Sequence, residues 1–240
     1  VSTPFLCGLT AAWALTQLTM ALVFFGLALL RRERQYRFLV VFQLAMVVAS
    51  GGIAGMYAAE TVAGWRLAAD IAAAGLIATT ALNLVFVTGG PSRLGRRGGP
   101  VAFLIVGVLP LLPLSGYWRI PGTERLDETW FFGVPVRHVS TDHHRYAAVL
   151  LVAAAVAAFV AVGLLVRAQL RGRRSALPLV VGGAALAIAQ MSDVGLLLGW
   201  WVHGVYLFPH ALILYSLTIG ISIVMQDGAA AQRLAMAEQS

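Results

Sequence analysis

Seven runs of about 18 or more mostly apolar residues divide the chain, and they constrain its fold more than any other feature. They cover Phe5–Leu30, Phe38–Ala59, Leu67–Val87, Pro100–Trp118, Tyr146–Val166, Ala176–Trp200 and Tyr206–Met225. An α-helix rises about 1.5 Å per residue, so about 20 residues cross a hydrocarbon core of roughly 30 Å. No water inside that core satisfies a backbone N–H or C=O, so each run must form its own helical ladder. The expected fold is all-α: a polytopic membrane protein with a seven-transmembrane-helix bundle. Composition agrees, with 60% hydrophobic and 11% charged residues, where a soluble domain carries about a quarter charged. Neither a water-soluble globule nor a disordered chain fits those proportions. Pro110 and Pro113 are expected to kink the fourth run. No arginine precedes the first run, which therefore lacks the charged start of a cleavable signal peptide and reads as a span.

Arginine sets the expected orientation. All 17 basic residues are arginine, which excludes Schiff-base chemistry such as a retinal linkage. The turn Arg31-Arg32-Glu33-Arg34-Gln35-Tyr36-Arg37, the loop with Arg93, Arg96 and Arg97, and the loop with Arg167, Arg171, Arg173 and Arg174 fall on one side. On the alternate side Arg66 is balanced by Glu60. There Arg119, Arg125, Arg137 and Arg145 are balanced by Glu124, Asp127, Glu128 and Asp142. Arginine-rich loops stay cytoplasmic, so the N-terminus is expected outside and the C-terminus inside. The net charge of +7 is then a topological signal, and no nucleic-acid partner is expected. All six tryptophans (Trp13, Trp65, Trp118, Trp130, Trp200, Trp201) fall in the outer half. They form either an interfacial anchor or the lining of an outer pocket.

Residues 115–145 make the one sizeable loop, expected outside. Its stretch Trp130-Phe131-Phe132-Gly133-Val134-Pro135-Val136 is too apolar to float free, and is expected to fold back as a lid or short extended segment. Buried charges in a membrane are functional candidates, and two acids qualify. Asp70 lies four residues after Arg66, and the expected arrangement is an ion pair between them. Asp193 has only Gln190 and Ser192 as polar neighbours and must face the bundle interior, in a structural or a ligand-binding role. The histidines His138, His143, His144, His203 and His210 all lie on the outer side. Their spacing matches no metal signature, and no cofactor is expected. The alternative is a metal or haem site on His138, His203 and His210. Cys7 is the one cysteine, so no disulfide forms within the chain. Gln43, Thr79, Thr80, Asn83, Gln190, Tyr215, Ser216, Thr218 and Ser222 lie within the spans. The Gly51–Gly55 step and Gly182-Gly183 read as close helix packing. No nucleophile–base pair or metalloprotease motif is present, so no enzymatic activity is expected.

The tail after Met225 is rich in alanine, glutamine and glutamate, strong helix formers. It reads as the start of a cytoplasmic connecting helix over 226–240, with Gly228 as a soft joint. Residues 1–225 then form the membrane domain. The segment Ser192-Asp193-Val194-Gly195, the segment Tyr206-Leu207-Phe208-Pro209 and the Arg-Arg-Glu-Arg-Gln-Tyr turn after the first span resemble the N-terminal seven-helix sensor regions of bacterial histidine kinases and diguanylate cyclases. That resemblance covers the seven-span plan and implies a sensing input module, although these 240 residues hold no kinase or cyclase domain. The expected function is a bacterial inner-membrane receptor, homodimeric, binding a small ligand through Asp193, Gln190, Tyr206, His210, Trp118 and Trp130. The last span relays the signal to a cytoplasmic effector. The alternatives are a metal- or haem-binding membrane subunit, or a small transporter using Asp70 and Asp193 as cation sites.

Overall fold

The computed structural model of the chain describes residues 2–88, 107–116, 118–120, 122–131, 134–172, 176–200 and 205–238. Helices α1 (Ser2–Arg31), α2 (Arg34–Ala58) and α3 (Val62–Val87) are followed by a single helical turn, α4 (Leu111–Leu114). Strands β1 (Arg125–Phe131) and β2 (Val134–Ser140) come next, then helices α5 (Arg145–Leu170), α6 (Ala176–Leu197) and α7 (Phe208–Glu238). Among the described residues six helices, all but α4, are long and apolar enough to cross a membrane. The molecule is thus a multi-pass helical membrane bundle. The expected fourth span, Pro100–Trp118, lies partly outside the described residues. Its described part ends in α4, directly after Pro110.

The bundle is helical, and one extended element is added in the loop, where a short extended segment was expected. The 115–145 loop carries a hairpin, β1 paired antiparallel with β2 from Arg125 opposite Ser140 to Phe131 opposite Val134. Valine, threonine, tryptophan and phenylalanine favour a pleated, half-buried strand over a loop. Val136 and Val139 are buried in the main core, and β2 lies against α1 and α2. The second strand thus lies on the bundle.

The long helices close a ring: α1 on α2, α2 on α3, α3 on α5, α5 on α6, α6 on α7, and α7 back onto α1 and α2. The innermost side chains come mainly from α2 and α7, including Leu39, Phe42, Met46, Phe208, Leu212, Tyr215 and Ile219. The outward faces are apolar too, with Leu15, Leu22, Val149, Val160, Ile188 and Leu217 exposed. That pattern suits a lipid solvent, where helices associate through shape and hydrogen bonds rather than through exclusion of water. Glycine supplies the shape at α2–α3. A Cβ on Gly75 would land on the backbone of Ala49, and one on Gly52 on the backbone of Ala72. Gly51 faces open space, whereas a Cβ on Gly55 would crowd the Ala68 side chain, so the close approach runs through Gly52, Gly55 and Gly75. At α6–α7, a Cβ on Gly182 would meet the Thr218 side chain.

Polar side chains tie the ring together inside. Ser50 donates to Gln17 Oε1 (3.0 Å), joining α2 to α1. Thr80 donates to Gln190 Oε1 (3.1 Å), joining α3 to α6. Tyr215 donates to Asn83 Oδ1 (2.5 Å), and Ser216 donates to Gln43 Oε1 (3.3 Å), so α7 is bonded to both α3 and α2.

Candidate functional site at the hairpin end of the bundle

Charged and aromatic residues collect where α3 begins, α6 ends and the 118–144 segment returns to the bundle. Thr61 starts α3 by accepting from the Gly64 N–H (3.0 Å), which is the usual N-cap device. One turn on, α3 presents Trp65, Arg66 and Asp70. The returning segment is pinned beside them by backbone bonds, His144 N to Trp118 O (3.0 Å) and Ile120 N to Asp142 O (2.9 Å). Those bonds bring Trp118 and Arg119 against α3.

Arg119 is the centre of this cluster and is 4% exposed. Its guanidinium donates to Asp70 Oδ1 (2.5 Å) and, through both terminal nitrogens, to the Arg66 carbonyl (3.2 Å each). Trp118 Nε1 donates to the same Asp70 oxygen (2.5 Å). The guanidinium carbon lies 5.2 Å from the Trp65 ring centroid and 4.6 Å from that of Trp118, within cation–π range. Burial pushes the Arg119 guanidinium below its usual range, and the Asp70 carboxylate works against that shift. The expected Asp70–Arg66 pair is therefore corrected: Asp70 pairs with Arg119, and Arg66 pairs with Glu124. The sequence hid this, because Arg66 at four residues' spacing already looked like a sufficient partner. The signal that was there is a lone arginine between Trp118 and Ile120, too apolar a setting for a solvated charge.

His143 packs on Trp118 with ring centroids 4.9 Å apart. Burial, then the Arg119 charge, push its imidazole down to about 4, so it is neutral at physiological pH. Its Nε2 has no hydrogen-bond partner among the described residues. His144 stacks on Tyr146 instead (5.6 Å).

A second group sits at the α6–α7 junction. Asp193 is 1% exposed, and its two oxygens accept from the backbone N–H groups of Leu207 (2.7 Å) and Phe208 (2.9 Å). The carboxylate thus caps the first turn of α7, where unpaired N–H groups and the helix dipole favour an anion. Tyr57 accepts from the Tyr206 N–H (3.1 Å) and packs edge-on against the Tyr206 ring (6.1 Å). His210 Nδ1 accepts from Trp13 Nε1 (2.8 Å), joining α7 to α1.

The structure thus brings Asp193, Tyr206 and His210 together at the start of α7. Gln190 sits one turn deeper on α6, and Trp118 belongs to the Arg119 cluster. Trp130 lies on β1, and its side chain is outside the described set, as are His203 and the side chain of His138. Among the described residues no three histidine, cysteine or acidic side chains gather as metal ligands. Sequence reading gave no site role to Arg119, Tyr57 or Gln17, and named Trp65 and His143 only as members of the outer aromatic and histidine sets. What the arrangement does chemically is hold: Asp70 fixes the desolvated Arg119 cation, and Asp193 caps the start of α7. No protein-family model matches the chain, and no curated protein aligns with it.

Proposed function

We propose that this chain is a sensor module of a bacterial inner membrane, without enzymatic activity of its own. An extracytoplasmic or membrane-borne small ligand acts at the hairpin end, on the Asp193, Gln190, Tyr206, His210, Trp118 and Trp130 side chains. The signal passes along α7 to a cytoplasmic effector, with the receptor acting as a homodimer. The observation that carries this reading is α7 itself. It runs unbroken for 31 residues through Gly228 to Glu238, about 46 Å at helical rise, well beyond the hydrocarbon core of roughly 30 Å. Its first turn is held by a buried carboxylate on α6, so any contact that strengthens or displaces that cap tilts or shifts the whole lever. A ligand moves such an equilibrium only through different affinities for the two positions, and a competing or reinforcing contact at Asp193 supplies that difference. The resemblance to seven-helix sensor regions supports the same reading.

Seven crossings with the N-terminus outside belong to this proposal. Supporting them, α3 ends at Val87, whereas Trp118 and Arg119 touch its other end at Asp70. Asp70 and Val87 are separated by about 26 Å of helix, close to a bilayer's hydrocarbon thickness.

The relay is tested with spin labels at Gln35 and Met236, both exposed, in a Cys7→Ser background reconstituted in lipid. Asp193→Leu removes the cap. The expected result is a shifted or broadened distance distribution with helical content unchanged. An unchanged distribution overturns the relay.

A further inference from the structure

The turn between α1 and α2 sits at the end of the bundle opposite the hairpin. There a groove of about 560 Å³ is lined by Phe25, Ala28, Leu29, Arg32, Arg37 and Val40. Its volume falls in the range of roughly 300–1,000 Å³ typical of small-ligand sites. The wall is apolar: Phe25 and Leu29 are exposed on the lipid-facing side of α1, and Val40 and Ala28 close the crevice between the two helices. The rim is cationic. Arg32 continues the α1 ladder through its N–H to Ala28 O (3.1 Å), then turns the chain with φ at 54°. Arg37 reaches back across the turn and donates to the Arg32 carbonyl (3.3 Å). Both arginines line the same groove. The first turn of α2 opens at the same rim. Its N-cap residue, Glu33, makes no side-chain cap bond, so the positive end of this 25-residue helix is not neutralised by its own cap.

We propose that this groove is a binding site for an anionic glycerophospholipid, with the phosphodiester between Arg32 and Arg37 and an acyl chain along Phe25, Leu29 and Val40. The occupant follows from the two halves of the site. An apolar trough open to the bilayer takes a hydrocarbon chain, and a pair of guanidiniums takes a phosphate oxygen pair. The charged residues of the lining are Arg32 and Arg37, so the mouth is positive and suits an anionic headgroup over a zwitterionic one. Free phosphate matches only the rim and leaves the trough empty. The site does not depend on which side of the membrane the turn faces, and it stands apart from the relay along α7.

The test uses the full chain reconstituted with equal phosphatidylglycerol and phosphatidylcholine, released into mild detergent and weighed with its retained lipids by native mass spectrometry. The wild type is expected to retain phosphatidylglycerol over phosphatidylcholine. Arg32→Gln and Arg37→Gln are each expected to reduce that retention roughly fivefold, the effect of one arginine at a charged lipid surface. Leu29→Trp, which fills the trough without changing charge, is expected to reduce it as well. Arg34→Gln, in the same turn but outside the groove, is the control for a diffuse basic field and is expected to leave retention unchanged. Equal loss in Arg34→Gln, full retention in Arg32→Gln and Arg37→Gln, or phosphatidylcholine held as well as phosphatidylglycerol each overturns the proposal. Inorganic phosphate that displaces the lipid at millimolar concentration overturns the acyl-chain half.

Discussion

Asp70 and Arg119 make a charge pair that neither residue's sequence neighbourhood announces. The pair is nearly dry, with side-chain exposures of 13% and 5%, and removing one partner of such a pair leaves the other charge uncompensated. Asp70→Asn keeps an oxygen for Trp118 Nε1 but strips the charge that balances Arg119. It is expected to destabilise the protein by about 3 kcal/mol, read as a lowered unfolding midpoint in detergent. Arg119→Met is expected to cost a similar amount, and the double variant markedly less than both together, because contacting residues are not additive. Additive losses would show that the two side chains act independently. The acids themselves were legible as candidates from their cost in hydrocarbon. Asp70's partner was not, because it lies 49 positions away and reaches α3 only through the turn backbone at Trp118 and His144. Asp193 shows the same limit. That it faces inward follows from its charge, but that it caps α7 depends on where the chain re-enters the bundle at Leu207.

Helix existence and approximate extent follow from the apolar runs, because length and hydropathy are local properties. Helix contacts do not. Small residues recur along α2, at Ser50, Gly51, Gly52, Ala54 and Gly55, and any face of such a helix can in principle sit close to a neighbour. The rotation of α2 about its axis selects Gly52, opposite Ala72, and α3 answers with Gly75 opposite Ala49. Gly75→Val is therefore expected to push α2 and α3 apart and lower stability by about 1–3 kcal/mol, the range for overpacking a tight contact. Gly51→Val meets nothing within 4 Å and is expected to leave the midpoint nearly unchanged. Thermal unfolding of the two purified variants compares them, and equal losses would place the close approach elsewhere. The hairpin marks a local property that was read only in part. The apolar 130–136 stretch had to fold back, but β-pairing requires a partner strand, and register is set by both strands together.

The whole molecule carries a charge asymmetry, with eleven arginines and one glutamate in one set of loops and balanced charges in the other. Reporter fusions at Arg97 and Arg173 are expected to read cytoplasm, and one at Thr123 to read the outside, as arginine-biased loops require. An external signal at Arg173 overturns the orientation. By itself the sequence determined that this protein is a membrane helix bundle and where its six long apolar helices run. It also determined which acids must turn inward, because solvation cost is a property of each residue and its nearest neighbours in the chain. The tertiary structure decided the closed ring of six long helices, the Arg119–Asp70 pair and the seating of α7 on Asp193. It also decided the joining of Arg32 and Arg37 at one groove. Each of these depends on helix rotation and depth. In a bilayer those are fixed by side-chain fit and hydrogen bonds between distant segments, since apolar character is spread over every face and selects none of them.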